Sequence, residues 1–276
     1  MMKRSGRAIR QALHSGQRIY ATAAIAVSPQ WARVLAAANV DFVFVDSEHT
    51  PLDRETLAWL CRSYASEQIP AVVRIPSPDP FEASKVLDGG AAGFIAPYVE
   101  SPTQVEQLKA VARYRPLKGE RAGQAIADPT SLEPALQHYL EQRNGDTLFI
   151  INIESVPAIE QLDQILSVGG VDAVLIGPHD LSCSLGIPEQ YDHPKFDQAV
   201  RRILQTARHH QVGAGIHYWL SIDREIEWAK STGANLLMHS TDVTLYQNSL
   251  VQDLKYLRAQ LGDANNTDHS ASSPVV

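Results

Sequence analysis

The chain has 276 residues, 44% hydrophobic and 20% charged, the make-up of a globular protein large enough for one sizeable core. A formal charge of −7 and a pI near 5.8 give no electrostatic reason to expect nucleic acid, whose phosphates are met by basic groups. Two cysteines, Cys61 and Cys183, exclude a disulfide framework and fit a reducing cytoplasm, and no apolar run reaches the roughly 20 residues that cross a bilayer.

The pattern opens with RIYATAAIA (18–26). Lys3, Arg4, Arg7 and Arg10 ahead of it imitate a secretory signal, but the apolar stretch is short, the polar lead is long, and the same residues serve as a first strand. FVFVDSEH (42–49) follows, an uninterrupted apolar run of the kind that is covered on both faces in a parallel sheet, ending in three ionisable groups. Further apolar runs are AVVRIP (71–76), GFIAPY (93–98), LFIINIE (148–154), DAVLIGP (172–178), VGAGIHY (212–218) and NLLMHS (235–240), which makes eight predicted strands. Helix-period segments lie between most of them. PLDRETLAWLCRSYASEQ (51–68) is one, and DPFEASKVLDGGA (79–91) is another, with Phe81, Ser84, Val86 and Leu87 near one stripe. Gly89, Gly90 and Gly93 stand at the end of that helix, where left-handed capping accounts for them. Residues 113–147 form a longer connection with Pro116, Gly119, Pro129 and Pro134, read as an irregular loop followed by a helix containing LEPALQHYLEQ (132–142).

Alternating strands and helices in one domain imply parallel pairing with right-handed crossovers. An open doubly wound sheet uses the same alternation, but eight units in about 250 residues are the content of a (β/α)8 TIM barrel. No GxGxxG follows an early strand, as a dinucleotide site would need. The expected organisation is an α/β TIM barrel over residues 1–261, followed by GDANNTDHSASSPVV (262–276), whose lost apolar content reads as a disordered tail.

In such a barrel the loops at the carboxyl ends of the strands form the active-site face. The second strand ends in Asp46, Glu48 and His49, the third carries Arg74, the fifth ends in Glu154, and the sixth leads through Gly177, Pro178 and His179 to Asp180. Imidazole titrates near working pH, so His49 is a candidate general base, with Asp46 to orient its other nitrogen and Glu48 in support. Arg74 cannot shed its charge in an apolar strand and needs an anion, either a protein carboxylate or a ligand oxygen. The acids and the histidine on the same rim favour the ligand. Glu154, finishing a buried strand, is expensive unless paired or bound to a metal. Asp180 is either a second carboxylate for that metal or the N-cap of a helical turn in HDLSCSL (179–185). Two carboxylates without a compact Cys/His cluster suit a hard divalent ion such as Mg2+ or Mn2+.

FVFVDSEHTP (42–51), VVRIP (72–76) with DP following, VLDGGAAGFIAPYV (86–99), INIES (151–155) and GVDAVLIGPHDLSCSLG (170–186) occur in the order seen in the HpcH/HpaI aldolase family. The chain resembles that family from about residue 20 to about residue 250. The resemblance implies a metal-dependent class II aldolase, a carbon–carbon lyase that forms or cleaves 4-hydroxy-2-oxo acids, giving pyruvate or a related 2-oxo acid and an aldehyde. It implies that Glu154 and Asp180 ligate Mg2+, Mn2+ or Co2+, and that Arg74 stabilises the keto or enolate oxygen. His49, oriented by Asp46, would transfer the proton, and Pro178, His179 and Asp180 would contact substrate. Asp88 matches an acid placed near the active site of a neighbouring subunit, so a homo-oligomer is expected, a hexamer built from dimers that exchange the C-terminal barrel helix. The expected partners are a small 2-oxo acid and an aldehyde, with neither nucleic acid nor membrane. No lysine stands at these strand ends, which argues against a Schiff-base aldolase.

The runner-up is a citrate-like or CoA-linked carbon–carbon lyase or synthase on the same site. It ranks second because CoA phosphates want a basic patch and the rim offers Arg74 and Arg121. The chain departs from the family pattern at four places. His179 stands where a small residue is frequent, Asn152 where Gln is, and GERA (119–122) in place of a G-x-R-G turn. His217, Tyr218, Trp219 and His239 make the last strand ends aromatic and His-rich. These departures bear on substrate more than on metal.

Overall fold

All eight apolar runs are strands in the computed structural model, which describes residues 5–263. They are β1 (Ile19–Ala24), β2 (Phe42–Asp46), β3 (Ala71–Arg74), β4 (Gly93–Ala96), β5 (Leu148–Asn152), β6 (Ala173–Ile176), β7 (Gly213–Tyr218) and β8 (Leu236–Thr241). Each pairs in parallel with the next, and β8 returns to β1, closing a barrel in chain order. The fold is a (β/α)8 barrel.

The helices follow from local chemistry. α1 (Gly6–His14) precedes the barrel and α2 (Gln30–Ala37) follows β1. α3 (Arg54–Ser66) starts where Asp53 accepts from the Thr56 backbone N–H, and α4 (Pro80–Asp88) where Asp79 accepts from that of Phe81. After β4, α5 (Pro102–Tyr114) opens with a capping box between Ser101 and Gln104. It is followed by α6 (Gly119–Ala127) and α7 (Pro134–Asn144). α8 (Val156–Glu160) and α9 (Leu162–Ser167) lead from β5 to β6, and α10 (Pro178–Ser184) and α11 (Pro194–His209) from β6 to β7. α12 (Ile222–Thr232) and α13 (Asp242–Leu261) complete the chain.

Three local expectations need correction. Residues 113–147 hold a helix, α6, where an irregular loop was expected, because Ala122 and Ala125 bury on a helical face despite two glycines. Phe81 lies outside the buried stripe of α4: Ala83, Val86 and Leu87 face the core while Phe81 is 72% exposed. Of the three glycines near the end of α4, Gly90 alone has positive φ, +107°. Gly93 belongs to β4, where a Cβ would sit 2.4 Å from the Leu148 carbonyl oxygen, so close strand approach requires it. The tail expected from residue 262 falls, from residue 264 onward, outside the described residues.

Two apolar layers hold the barrel. Ala21, Ala23, Phe42, Phe44, Val72 and Met238 belong to the cluster that fills its interior, and a larger cluster lies between strands and helices. Phe42 is fully buried, and its loss to alanine would cost about 3–5 kcal/mol. α13 departs from this scheme. Its first turn is anchored by Asp242, whose carboxylate accepts from the Ile25 and Ala26 backbone N–H groups at 3.0 and 3.1 Å. Beyond that turn Tyr246, Leu250, Val251, Leu254 and Leu257 are all exposed, and Tyr20 on the outer side of β1 is exposed as well. Among the described residues no helix is long and apolar enough to cross a membrane.

Candidate active site

A cavity of about 1010 Å³ opens at the carboxyl ends of the strands, where barrel chemistry is expected. Asp46, His49, Arg74, Pro178, His179 and Asp180 all line it, so the barrel unites residues up to 134 positions apart. No lysine lines it.

The parallel register sets Asp46 on β2 beside Arg74 on β3. Arg74 donates from Nε to Asp46 Oδ1 at 2.8 Å and from its terminal nitrogen to Oδ2 at 2.7 Å, a bidentate buried pair. Burial alone would raise the Asp46 carboxyl, but the hydrogen bonds and charge of Arg74 outweigh it and hold it below its ordinary value. Glu48 lies 3.1 Å from Arg74 Nε, and there burial wins and raises the carboxyl. The expected Asp46–His49 contact is therefore corrected. Both Asp46 oxygens are taken by Arg74, with the Glu48 backbone N–H adding to Oδ1, while His49 faces Glu48 Oε2 at 3.8 Å.

Glu154 follows β5 and is 2% exposed. Its Oε1 accepts from the Tyr98 backbone N–H at 2.8 Å, whereas Oε2 is buried with no partner among the described residues. Burial raises this carboxyl to about 7, with the Tyr98 hydrogen bond opposing and the nearby Asp180 charge adding. Asn152 Oδ1 is likewise buried and unpartnered. At Gly177 a Cβ would lie 2.1 Å from Glu154 Oε2, so this oxygen fills the space that a side chain would take and the position requires glycine. Asp180 sits in the first turn of α10, whose N-cap is Gly177, so the capping alternative is ruled out and its carboxylate is uncommitted except for a long 3.4 Å bond from the Tyr98 hydroxyl.

These features fit a divalent cation. Two carboxylates, Glu154 and Asp180, lie near enough to act on one another, and among the described residues no group of three or more His, Cys, Asp or Glu could hold a metal alone. The donor set therefore suits a hard ion that keeps positions open for substrate and water oxygens.

The other predicted residues separate. His179 is half-exposed at the mouth, its Nδ1 3.8 Å from Glu189 Oε1. Asp88 ends α4 and is not on the cavity of its own chain; its exposed carboxylate pairs with Arg115 at 3.3 Å. Arg121 lies on α6, paired with Glu133, and does not line the cavity. Of the aromatic and His-rich stretch, His217 and Trp219 line the cavity, while Tyr218 packs on Trp228 and His239 pairs with Glu225 at 2.7 Å.

The family model for HpcH/HpaI aldolase/citrate lyase matches residues 24–248. The chain belongs to this family. A 2-keto-3-deoxy-L-rhamnonate aldolase of Shigella boydii serotype 4 is 31% identical, covering 83% of this chain and 84% of that one. A hydroxypyruvate/pyruvate aldolase of Sagittula stellata is 34% identical over 68% of this chain and 74% of its own. Among solved structures, the citrate synthase SbnG superposes with a TM-score of 0.78 at 29% identity, covering 92% of this chain and 98% of that one. As a member of the HpcH/HpaI family the chain is an enzyme of the class II aldolase type, a carbon–carbon lyase.

The residue that sequence reasoning missed in this HpcH/HpaI site is Tyr98. Its φ of +46° is unusual for a bulky side chain. That conformation turns its backbone N–H to Glu154 while its hydroxyl reaches Asp180, and burial, with the Asp180 and Glu154 carboxylates adding, pushes the phenol up to about 12. GFIAPY read only as a strand with its end; nothing in a lone tyrosine after proline marks that turn.

Proposed function

We propose that this protein is a divalent-metal-dependent aldolase that cleaves or forms 4-hydroxy-2-oxo acids, with a 2-oxo acid of the pyruvate type and an aldehyde as partners. The observation that carries the reading is the buried Glu154 Oε2, which has no partner among the described residues, packed against the Gly177 backbone and close enough to the Asp180 carboxylate to feel its charge. Glu154 and Asp180 would hold Mg2+, Mn2+ or Co2+. When bound, the cation would supply a Lewis acid for the substrate oxygens.

The chain's own residues account for the remaining steps. Arg74 is charged and locked by Asp46, so it is pre-aimed and bears on the keto oxygen as charge develops there during cleavage. His49 removes the proton of the 4-hydroxyl as the C3–C4 bond breaks, leaving an aldehyde and an enolate that is then protonated at C3. Asp46 acts on this step through Arg74, and Glu48, placed between Arg74 and His49, links the two. Pro178, His179 and Asp180 begin α10, where the backbone N–H groups of His179 and Asp180 would take the substrate carboxylate and Pro178, with no N–H to give, would contact it by its ring.

The exposed apolar side of α13 supports a homo-oligomer in which that helix is exchanged between copies, six in all, with Asp88 approaching the site of a neighbour. The free thiols Cys61 and Cys183 fit a cytoplasmic setting. The test is exchange of the pyruvate methyl protons for deuterium without added aldehyde, expected with divalent metal and lost on chelation. A folded protein inert with Mg2+, Mn2+ and Co2+ would refute the reading.

Similarity to a citrate synthase supports a second reading, condensation or cleavage of a citrate-like acid on the same site. Product analysis with oxaloacetate separates the two.

A further inference from the structure

The cavity wall on the β7 side contains a histidine that the proposed reaction does not use. His217 stands at the end of β7, lines the cavity, and is ringed by aromatic edges: Phe44 at 5.6 Å and 85°, Trp219 at 5.9 Å and 62°. Its Nε2 is 3.0 Å from the Ser240 carbonyl oxygen. A carbonyl only accepts, so Nε2 carries the hydrogen and, in the neutral ring, Nδ1 is an acceptor. Burial pushes the imidazolium down to about 4, with the Ser240 carbonyl opposing, so the ring is neutral at any working pH. Nδ1 has no protein partner among the described residues.

The surroundings make that acceptor informative. Ala23, Ile25, Phe44, Trp219 and Leu220 give this side of the cavity an apolar lining. Thr241, the nearby hydroxyl on the lining, is committed as the N-cap of α13, accepting from the Thr244 backbone N–H and donating to its hydroxyl. An apolar wall with one fixed side-chain acceptor suits a ligand carrying a hydroxyl at that point, because an alkyl group there would leave Nδ1 desolvated and unpaired. A purely structural histidine would be satisfied by the Ser240 bond alone.

We propose that His217 is a specificity-determining residue whose Nδ1 accepts a hydrogen bond from a substrate hydroxyl, selecting hydroxylated over alkyl partners. The proposal rests on the aldolase reading. The hydroxyl belongs either to the 2-oxo acid or to the aldehyde, and two matched pairs distinguish them: hydroxypyruvate against 2-oxobutanoate, and glycolaldehyde against propanal. Each pair exchanges a hydroxyl for a methyl at constant chain length.

Three variants separate binding from support. Gln reaches as far as Nε2, so His217→Gln retains the donor to Ser240 and loses the Nδ1 acceptor. Asn reaches only as far as Nδ1, so His217→Asn retains the acceptor and loses the Ser240 bond. His217→Phe removes both. The readout is the kcat/KM ratio within a pair for one protein, so a general loss of turnover cancels. The wild type is expected to prefer the hydroxyl-bearing member of one pair. His217→Gln and His217→Phe are expected to lower that preference about 3- to 10-fold, the weight of one neutral hydrogen bond, and His217→Asn to keep it within about twofold. No preference in the wild type for either pair, or a preference intact in His217→Gln or His217→Phe, overturns the proposal. Failure of the aldolase reading is seen separately, as absence of metal-dependent pyruvate exchange in the wild type, and the proposal then falls with it.

Discussion

Replacing Glu154 by Gln isolates the energy held in the buried carboxylate. The folded protein raises this group from its ordinary 4.5 to about 7, chiefly by burial. Since the folded value lies above the unfolded one, folding favours the protonated acid. Its contribution is therefore fully present below about pH 4.5 and is lost as the pH rises through about 7. At about 1.4 kcal/mol for each pH unit between the two values, the ionised form costs the metal-free protein about 3 kcal/mol at pH 8. Gln cannot ionise, and its amide oxygen can still accept from the Tyr98 backbone N–H. In EDTA, E154Q should match the wild type near pH 4.5 and exceed it by about 3 kcal/mol at pH 8.

Urea unfolding followed by circular dichroism at fixed protein concentration measures both points. With Mn2+ at about a hundredfold excess over its dissociation constant, the wild type should gain about 2.7 kcal/mol at pH 8 and E154Q almost nothing. Equal stability of the two proteins at pH 8 in EDTA would refute the assignment of burial as the cause. An equal Mn2+ gain in both would refute Glu154 as a ligand.

Arg74→Ala should abolish pyruvate exchange and, by leaving Asp46 and Glu48 without their cation, destabilise the fold by about 3–5 kcal/mol, while calorimetry still detects Mn2+; loss of the metal instead would mean Arg74 is misassigned. Gly177→Ala places a methyl 2.1 Å from Glu154 Oε2, so Mn2+ affinity measured by calorimetry should fall sharply although its backbone φ of −86° accommodates alanine. His49→Gln should lower cleavage about 10²- to 10⁴-fold with metal affinity unchanged, as measured by coupled pyruvate release. The double variant Leu250→Glu/Leu254→Glu, which charges the exposed side of α13, should reduce the mass seen by light scattering towards that of a monomer.

The strands were legible because each is a short apolar run bounded by polar residues, and eight such runs admit few closures other than a barrel. α6 was hidden because GERAGQAIA carries two glycines between prolines, and only the packing of Ala122 and Ala125 offsets their poor propensity. The acids and bases of the rim were visible as types, but their pairing was not. Asp46 and His49 are three residues apart, so local reading joins them. The parallel register instead brings Arg74, 28 positions away, beside Asp46, and a two-point hydrogen bond outcompetes a contact to one imidazole. Tyr98 was illegible for a related reason: its role depends on a left-handed backbone that only the packed turn selects.

The charge inventory bears on why the site is built this way. Asp46, Glu48 and Glu154 all act on one guanidinium, with Asp180 adding its charge to Glu48 and Glu154, and Arg74 is already neutralised by Asp46 at 2.7 Å. Left alone, such a cluster relieves itself by holding protons, and it does so at the most buried member: Glu154 stays protonated to about pH 7. A dication held by Glu154 and Asp180 would replace that proton with two charges, ionise Glu154 and bring the cluster close to balance before an anionic substrate arrives. Glu154 would then carry opposing roles, destabilising the metal-free fold at neutral pH and supplying affinity for the proposed cation. On that reading the same residue could not be optimised for the first without losing the second, which would account for a buried acid with one oxygen unpartnered among the described residues at the end of an otherwise apolar strand.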